Sequence, residues 1–177
     1  MTEIIRAATE ADIPALHALI ESAYRGESAK AGWTHEADLL GGQRTDAEAL
    51  NEIICDPAQT MLLFQRDRET LGCVLVVDKG ERDGHRTGYL GLLTVRPTLQ
   101  NAGLGRLLID AAEACARGFE ADVMEMTVID TRQELIDWYM RRGYAQTGRI
   151  APFPNDPRFG LPKVDGLRFV ILAKALR

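Results

Sequence analysis

Apolar side chains recur at helical spacing in four segments of the chain, and each segment predicts a helix with one buried face. The strongest pattern covers Gly103–Gly118, where Leu107 belongs to the apolar face and Glu113 to the charged face. The second predicted helix ends at Asp56 because proline disfavours helical geometry in the residue before it. The predicted helices are Thr9–Tyr24, Asp46–Asp56, Gly103–Gly118 and Gln133–Arg142.

Shorter apolar runs, bounded by polar or glycine-containing stretches, predict β-strands between these helices. The charged stretch Lys79–Arg86 predicts a loop, and two further long loops are expected at Gly26–Gly42 and Ala151–Asp165. The predicted strands are Glu3–Ala7, a hairpin of Met61–Gln65 and Leu71–Val77, then Gly88–Val95, Asp122–Val128, Tyr144–Ile150 and Leu167–Ala173. With no repeat and no linker, residues 1–177 are expected to form one mixed α/β domain.

Composition narrows the class of protein. Apolar residues make up 46% of the 177 residues and charged residues 27%, the usual balance of a soluble globular protein. The net charge of −5 and the scattered basic residues argue against a nucleic-acid partner. No apolar run approaches the ~18 residues needed to span a bilayer. No signal-peptide core is seen either, so no membrane partner and a cytoplasmic location are expected.

The three cysteines, Cys55, Cys73 and Cys115, are widely spaced and odd in number. Neither a disulfide framework nor a zinc site is therefore indicated, and no metal is expected. Each cysteine lies in an apolar run, so all three are expected to be small buried hydrophobic residues.

A glycine motif, Gln100-x-x-Gly103-x-Gly105, lies between the strand ending at Val95 and the strongest predicted helix. Unpaired N–H groups at a helix start form an anion site, and glycines let a phosphate approach the backbone. A P-loop would need a lysine that is absent. A dinucleotide fingerprint would need glycine or alanine where Leu108 stands. Taken alone, the motif fits a phosphate cradle and a plain turn about equally well.

A second motif follows on the last predicted helix, where Tyr139 precedes Gly143-Tyr144. With both motifs, the chain resembles the GNAT superfamily of N-acetyltransferases. Gln100-x-x-Gly103-x-Gly105 matches that family's Gln/Arg-x-x-Gly-x-Gly/Ala signature, and Tyr139 with Gly143-Tyr144 matches its Tyr-x-x-x-Gly-Phe/Tyr signature. The order of elements also fits almost from end to end. The resemblance implies a single GNAT-like α/β domain with a mixed, splayed β-sheet flanked by helices.

The resemblance implies direct transfer of acetyl from acetyl-CoA, a cosubstrate, to a primary amine, with no metal and no covalent enzyme intermediate. Backbone groups of the glycine loop would hold the pyrophosphate, and the end of the preceding strand would pair with pantetheine by strand addition. The residues implied in coenzyme A binding are Leu93, Thr94, Val95, Gln100, Asn101, Ala102, Gly103, Leu104, Gly105 and Arg106.

Tyr139 occupies the family's usual general-acid position, from which a phenol can protonate the departing thiolate; the alternative is a ring that only packs in the core. The strand Gly88–Val95 carries no carboxylate where many family members have a glutamate. Glu36 is therefore the candidate general base, with Glu125, Asp130, His35 or a water relay as alternatives. Arg132 stands where the family often has asparagine. Contact with a phosphate of the cofactor is one interpretation, and a solvated residue at a helix start is the one we expect.

Trp33 and Phe153, large rings in long loops, are the candidate acceptor-binding residues. They would cover a substrate, their own core or a second subunit, so a homodimer is one possible assembly. Arg44 and Arg158 are candidates for holding an acceptor carboxylate. The acceptor is expected to be a small-molecule or peptide amine. The alternatives to an enzyme are a non-catalytic acyl-CoA-binding or sensor domain and a structural dimerisation module.

Overall fold

The computed structural model describes all 177 residues. Seven strands form one mixed sheet in the order β1-β3-β4-β5-β6-β9-β7, with β5 and β6 as its parallel pair. A two-stranded ribbon joins β2 to β8. The strands are β1 (Glu3–Ala7), β2 (Leu40–Gly41), β3 (Gln59–Arg66), β4 (Glu69–Arg82), β5 (His85–Val95), β6 (Val123–Ile129), β7 (Ala145–Pro152), β8 (Leu161–Pro162) and β9 (Arg168–Ala175).

Helices cover both faces of this sheet. The helices are α1 (Ile13–Tyr24), α2 (Gly26–Ala29), α3 (Ala47–Cys55), α4 (Leu104–Gly118) and α5 (Gln133–Met140). The long strand β4 is buried on both faces: Cys73 and Leu75 pack in the cluster under α1 and α3, whereas Val74 and Val76 pack under α4 and α5. The mixed α/β fold expected from the sequence is confirmed.

The charged stretch Lys79–Arg86 is not a loop, as the sequence predicted, but the tip of a hairpin. β4 continues to Arg82, β5 begins at His85, and Asp83-Gly84 form the turn with φ of +52° and +79°. An Asp-Gly pair suits a tight hairpin because both residues tolerate positive φ. The charged side chains are accepted there because this tip projects into solvent, away from the core.

Helix α4 buries a face rotated from the predicted one. Leu107 is 47% exposed, whereas Glu113 is 4% exposed. Lys174 Nζ donates to both Glu113 carboxylate oxygens at 2.8 and 3.0 Å, and the Tyr144 hydroxyl donates to one of them at 3.1 Å. The buried carboxylate is tolerated because it is paired with a cation on β9 and with a hydroxyl just before β7.

The sheet splays open between its two parallel strands. β5 pairs with β6 only from Thr87 to Tyr89, although both strands continue beyond that point. The register between β4 and β5 shifts near Leu92, whose φ of +48° marks a bulge in β5. The strand therefore turns away from β6, and the cleft between them lies at the centre of the molecule.

Two loops close over one side of this cleft. Lys163 donates to Leu39 O from its backbone and to Ala37 O from Nζ, at 2.8 and 2.7 Å, which fastens the ribbon of β2 and β8.

Cys73 is buried, Cys115 is half-buried, and Cys55 is exposed, which corrects the expectation for Cys55. No helix is long and apolar enough to cross a membrane, and no group of three or more His, Cys, Asp or Glu side chains converges on a metal position.

Candidate active site

A cavity of about 260 Å³, here called the donor cavity, lies between the end of β5, the start of α4 and α5. Gly103 caps α4 with φ of +83°, and a Cβ built on it would meet no atom within 4 Å. The first N–H groups of α4 lack partners within the helix, and the helix dipole places partial positive charge beside them. The open backbone at this helix start fits a diphosphate.

The predicted coenzyme A residues line this cavity, except Ala102 and Leu104. Leu104 is 4% exposed and packs in the core, so its contribution to this loop is its backbone. The Gln100 side chain donates from Nε2 to Val95 O at 3.3 Å, and its buried Oε1 has no hydrogen-bond partner. The Gln100 side chain packs against Gly32, because a Cβ at position 32 would lie 2.2 Å from Gln100 Oε1.

An aromatic wall faces the glycine loop, and the sequence analysis did not identify it. A Cβ on Gly105 would lie 3.2 Å from the Trp138 ring, and the Arg142 guanidinium carbon lies 3.5 Å from the centre of that ring. Burial, with Arg141 and Arg106 nearby, lowers the pKa of Arg142. The i, i+4 spacing of Trp138, on α5, and Arg142, just beyond the end of that helix, was the signal that could have revealed this stack.

Trp33 lines the donor cavity and lies against this wall, with its ring centre 6.3 Å from that of Trp138. It does not line the cavity on the acceptor side, where the sequence analysis expected it. Long segments separate Trp33 from Trp138 in the chain, so only the tertiary structure could bring these rings together.

A second cavity of about 280 Å³, here called the acceptor cavity, lies on the other side of the splay. Phe153 lines it together with Phe159 and Phe169, and the rings of Phe153 and Phe169 are 5.4 Å apart. At its floor the hydroxyls of Tyr89 and Thr127 are hydrogen bonded at 2.8 Å. The proline- and aromatic-rich loop therefore covers a cavity rather than only its own core.

Tyr139 lies at the junction of the two cavities and lines both. It is 6% exposed, and its hydroxyl takes part in none of the hydrogen bonds within the chain. Burial raises the pKa of Tyr139 well above the ordinary phenol value. The neighbouring Tyr24 hydroxyl donates to Leu93 O at 2.7 Å, and burial raises its pKa to about 12.

A buried cluster of charges forms one wall of the acceptor cavity; we call Arg25, Glu36, Arg44 and Arg132 the arginine cluster. Glu36 Oε1 accepts from Arg25 Nη1, and Glu36 Oε2 accepts from Arg132 Nη1 at 3.3 Å. Arg44 Nε lies 4.0 Å from Glu36 Oε1. Arg25 and Arg132 are 6% and 7% exposed.

Arg132 is therefore not the solvated helix-start residue that the sequence analysis expected. Besides Glu36, its guanidinium donates to Thr34 Oγ1 at 2.6 Å, and it lines both cavities. A cation at the start of a helix is unfavourable, and the carboxylate of Glu36, from a distant segment of the chain, compensates the charge of Arg132. Arg25 was missed altogether, because a single arginine after a helix carries no signal in the sequence.

Glu36 is the only carboxylate residue that lines either cavity. Each of its carboxylate oxygens already accepts a hydrogen bond from a guanidinium, one from Arg25 and the other from Arg132. The alternative bases lie elsewhere: Glu125 pairs with Arg149, and Asp130 pairs with Arg168 at 2.6 Å. Arg158 also lies outside the acceptor cavity and pairs with Asp46 at 3.1 Å.

An open helix start, at the splay of a mixed sheet and beside a buried tyrosine, forms a cleft whose shape suits an acyl-coenzyme A cosubstrate. The model of the acetyltransferase (GNAT) family matches residues 15–144, and the chain belongs to this family. It is accordingly an acetyl-CoA-dependent acyltransferase. No curated protein sequence matches the chain significantly.

Solved structures with the same fold are distant in sequence. An N-acetyltransferase from Staphylococcus aureus Mu50 superposes with a TM-score of 0.71 at 14% identity, covering 100% of both chains. The ribosomal-protein-alanine N-acetyltransferase from Brucella melitensis gives 0.72 at 20% identity, covering 97% of this chain and 99% of that one. The yncA protein from Salmonella typhimurium, solved with acetyl-CoA, gives 0.70 at 20% identity, covering 100% and 95%. At these identities the similarity establishes the fold.

Proposed function

We propose that the chain transfers acetyl from acetyl-CoA to a primary amine by direct attack of the amine on the thioester. The observation that carries this proposal is the position of Tyr139, with an uncommitted hydroxyl where the donor and acceptor cavities meet. An amine and a thioester bound on either side of that residue would react without an intermediate attached to the protein. No nucleophilic serine or cysteine lines either cavity, which is consistent with direct transfer.

The donor half of the reaction is assigned to the glycine loop and the strand before it. The backbone from Asn101 to Arg106 would hold the diphosphate, and Leu93–Val95 would pair with the pantetheine arm. Gln100 would close the loop entrance, and Arg106 would add positive charge. The open backbone at Gly103 supports this assignment, because close approach to phosphate oxygens needs a residue without a Cβ.

In the proposed step, the amine nitrogen forms a bond to the carbonyl carbon, and the carbon–sulfur bond then breaks. Tyr139 donates its hydroxyl proton to the departing sulfur. The proton lost by the amine nitrogen returns to the tyrosinate through water, so charges and protons balance. The raised pKa of Tyr139 keeps the phenol protonated when the thiolate forms, although the same shift makes it a weaker acid than a free phenol, so the position of Tyr139 is what supports this role.

Glu36 was the candidate base, but its two guanidinium partners favour a different role. We propose that Glu36 holds Arg25 and Arg132 in place, and that the amine reacts after losing its proton to water. A cationic environment disfavours the ammonium form of the acceptor and so favours the reactive free amine. This removes the need for a strongly basic carboxylate in the cavity.

Further expectations from the sequence stay proposals. Residues 1–177 would act as one domain, since strands from both ends, β1 and β9, belong to the same sheet. Phe153 would contact the acceptor. Trp33 was also expected to contact the acceptor, but because it lines the donor cavity we propose that it contacts the coenzyme. A cytoplasmic location and a homodimer stay predictions.

The test is release of free thiol from acetyl-CoA in the presence of amines that differ in size and charge. The proposal predicts that thiol release depends on an amine and yields its N-acetyl product by mass spectrometry. Product formed without any amine, or a stable acetyl adduct on the protein, would contradict direct transfer. Binding of acetyl-CoA without turnover of any amine would instead favour a non-catalytic acyl-CoA-binding domain.

A further inference from the structure

The arginine cluster carries more positive charge than the chain itself neutralises. Three guanidiniums, from Arg25, Arg44 and Arg132, meet a single lining carboxylate, that of Glu36. Glu134 lies 3.9 Å from Arg132 Nε, but its side chain is 50% exposed and does not line the acceptor cavity. The wall of the acceptor cavity is therefore cationic.

This charge is desolvated, which makes it costly without an anion. Arg25 and Arg132 are more than nine-tenths buried, and the Nε atoms of both lack hydrogen-bond partners. Removing a guanidinium from water is costly. The neutral acceptors Tyr24 O, Phe159 O and Thr34 Oγ1 satisfy some of these N–H groups but do not cancel the charge. Guanidinium groups also match the planar geometry of a carboxylate. The cluster has the chemistry of a carboxylate-binding site.

We propose that the acceptor is an α-amino acid with an apolar side chain, whose carboxylate is held by the arginine cluster. This inference rests on the proposed function. Arg132 lines both cavities, so the cluster adjoins the junction at Tyr139 where the amine must react. Because the carboxylate would be held beside the junction where the amine reacts, both groups would be attached to the same carbon of the acceptor.

The remainder of the acceptor cavity selects the side chain. Its other walls are largely apolar, with the rings of Phe153, Phe159 and Phe169 around the cavity. The volume of about 280 Å³ is at the lower limit of small-molecule sites, which run from roughly 300 to 1,000 Å³. A free amino acid with a branched or aromatic side chain fits this volume and polarity. Polyamines and aminoglycosides are disfavoured, because they would add positive charge beside three guanidiniums.

The experiment compares three amines that share one side chain: phenylalanine, phenylalaninamide and 2-phenylethylamine, with leucine and leucinamide as a second series. Each is assayed with acetyl-CoA by thiol release. We expect kcat/KM for the carboxylate to exceed that for the amide and the amine by about 10- to 100-fold, the effect of charged hydrogen bonds. Equal or faster turnover of the amines that lack a carboxylate would overturn the inference and leave the proposed function standing.

A variant of Arg44 tests whether the arginine cluster causes the preference for a substrate with a carboxylate. Arg44 is the member suited to substitution because its side chain is 27% exposed and it forms the longest contact, so R44Q should fold. We expect R44Q to raise KM for phenylalanine about tenfold and to leave KM for phenylalaninamide unchanged. The matched control is R149Q, an exposed arginine paired with Glu125 outside both cavities, which should alter neither value. An equal effect of R44Q on both substrates would overturn the inference.

A binding measurement tests the carboxylate site independently of catalysis. Calorimetry of N-acetylphenylalanine with the protein and coenzyme A should show binding that is lost with the corresponding amide. Absence of turnover with every amine, together with this selective binding, would contradict the proposed function and support the carboxylate site. Equal binding of the acid and the amide, or binding of neither, would overturn the carboxylate site.

Discussion

Arg132 Nη1 donates to Glu36 Oε2 at 3.3 Å across 96 positions of the sequence. This contact ties the start of α5, which carries Tyr139, to the loop that forms part of the acceptor cavity. Since Arg25 holds the other oxygen of the same carboxylate, Glu36 joins three separate segments of the chain. Arg132 lines both cavities whereas Glu36 lines only the acceptor cavity, so a change at Glu36 should affect stability before it affects chemistry.

The first prediction concerns Glu36→Gln. The change leaves two buried guanidiniums without a counterion, and we expect a loss of about 3 kcal/mol in the free energy of unfolding, measured with urea. N-acetylphenylalanine should restore part of this loss. The control is Glu134→Gln. The Glu134 carboxylate is exposed and lies 3.9 Å from Arg132 Nε, beyond hydrogen-bond distance, so this variant should change stability little. Unchanged stability with a ~100-fold loss of kcat would instead identify Glu36 as the general base.

The second prediction concerns Tyr139→Phe, which removes the hydroxyl but keeps the ring. We expect kcat to fall about 100-fold, because the thiolate loses its proton donor, with little change in acetyl-CoA affinity. Tyr144→Phe is the matched control, since that hydroxyl donates to buried Glu113 outside both cavities. It should lower stability and leave kcat unchanged. Full activity of Tyr139→Phe would remove the acid role.

The third prediction concerns Gly103→Val at the start of α4. A branched side chain would strain the positive φ and occupy the open space at the helix start. We expect calorimetry to show a loss of acetyl-CoA binding in a folded protein. Gly148 has a similar φ of +81° with no atom near its Cβ position, so Gly148→Val matches the strain without affecting binding. Equal acetyl-CoA affinity in the two variants would contradict the cradle.

The fourth prediction concerns Gly32→Ala. Its Cβ would lie 2.2 Å from Gln100 Oε1, so the Gln100 side chain must move from its place beside Val95. We expect KM for acetyl-CoA to rise several-fold while kcat stays the same. The double variant Gly32→Ala/Gln100→Ala has no clash, so its KM for acetyl-CoA should equal that of Gln100→Ala alone. Additive effects of the two changes would show that Gly32 acts through another contact.

The fifth prediction concerns alkaline pH. Burial raises the pKa of Tyr139, Tyr144 and Tyr24, the last to about 12, above the ordinary value near ~10. The unfolded chain therefore loses these protons first, and the free energy of unfolding should fall as pH rises above about 10. Urea unfolding of Tyr139→Phe should show a shallower fall over the same range. An identical slope in the two proteins would contradict the raised pKa.

Much of the fold followed from local pattern. Short apolar runs predicted the seven sheet strands, and apolar spacing of period 3.6 predicted the four longer helices, because each element must bury apolar side chains whatever its neighbours are. The hairpin tip at Asp83-Gly84 was missed because its charged residues carry no apolar alternation. Glu113 was placed on the wrong face of α4, since its partners Lys174 and Tyr144 come from other segments.

The donor half of the site was largely determined by the sequence. The glycine loop from Gln100 to Gly105 is continuous in the chain, and its chemistry depends on backbone groups that a local motif specifies. The acceptor half was decided by the tertiary structure. Arg25, Glu36 and Arg132 meet from three distant segments, and their charges acquire meaning only when they are buried together. Pairing of buried charges depends on distance in space, which no spacing along the chain records.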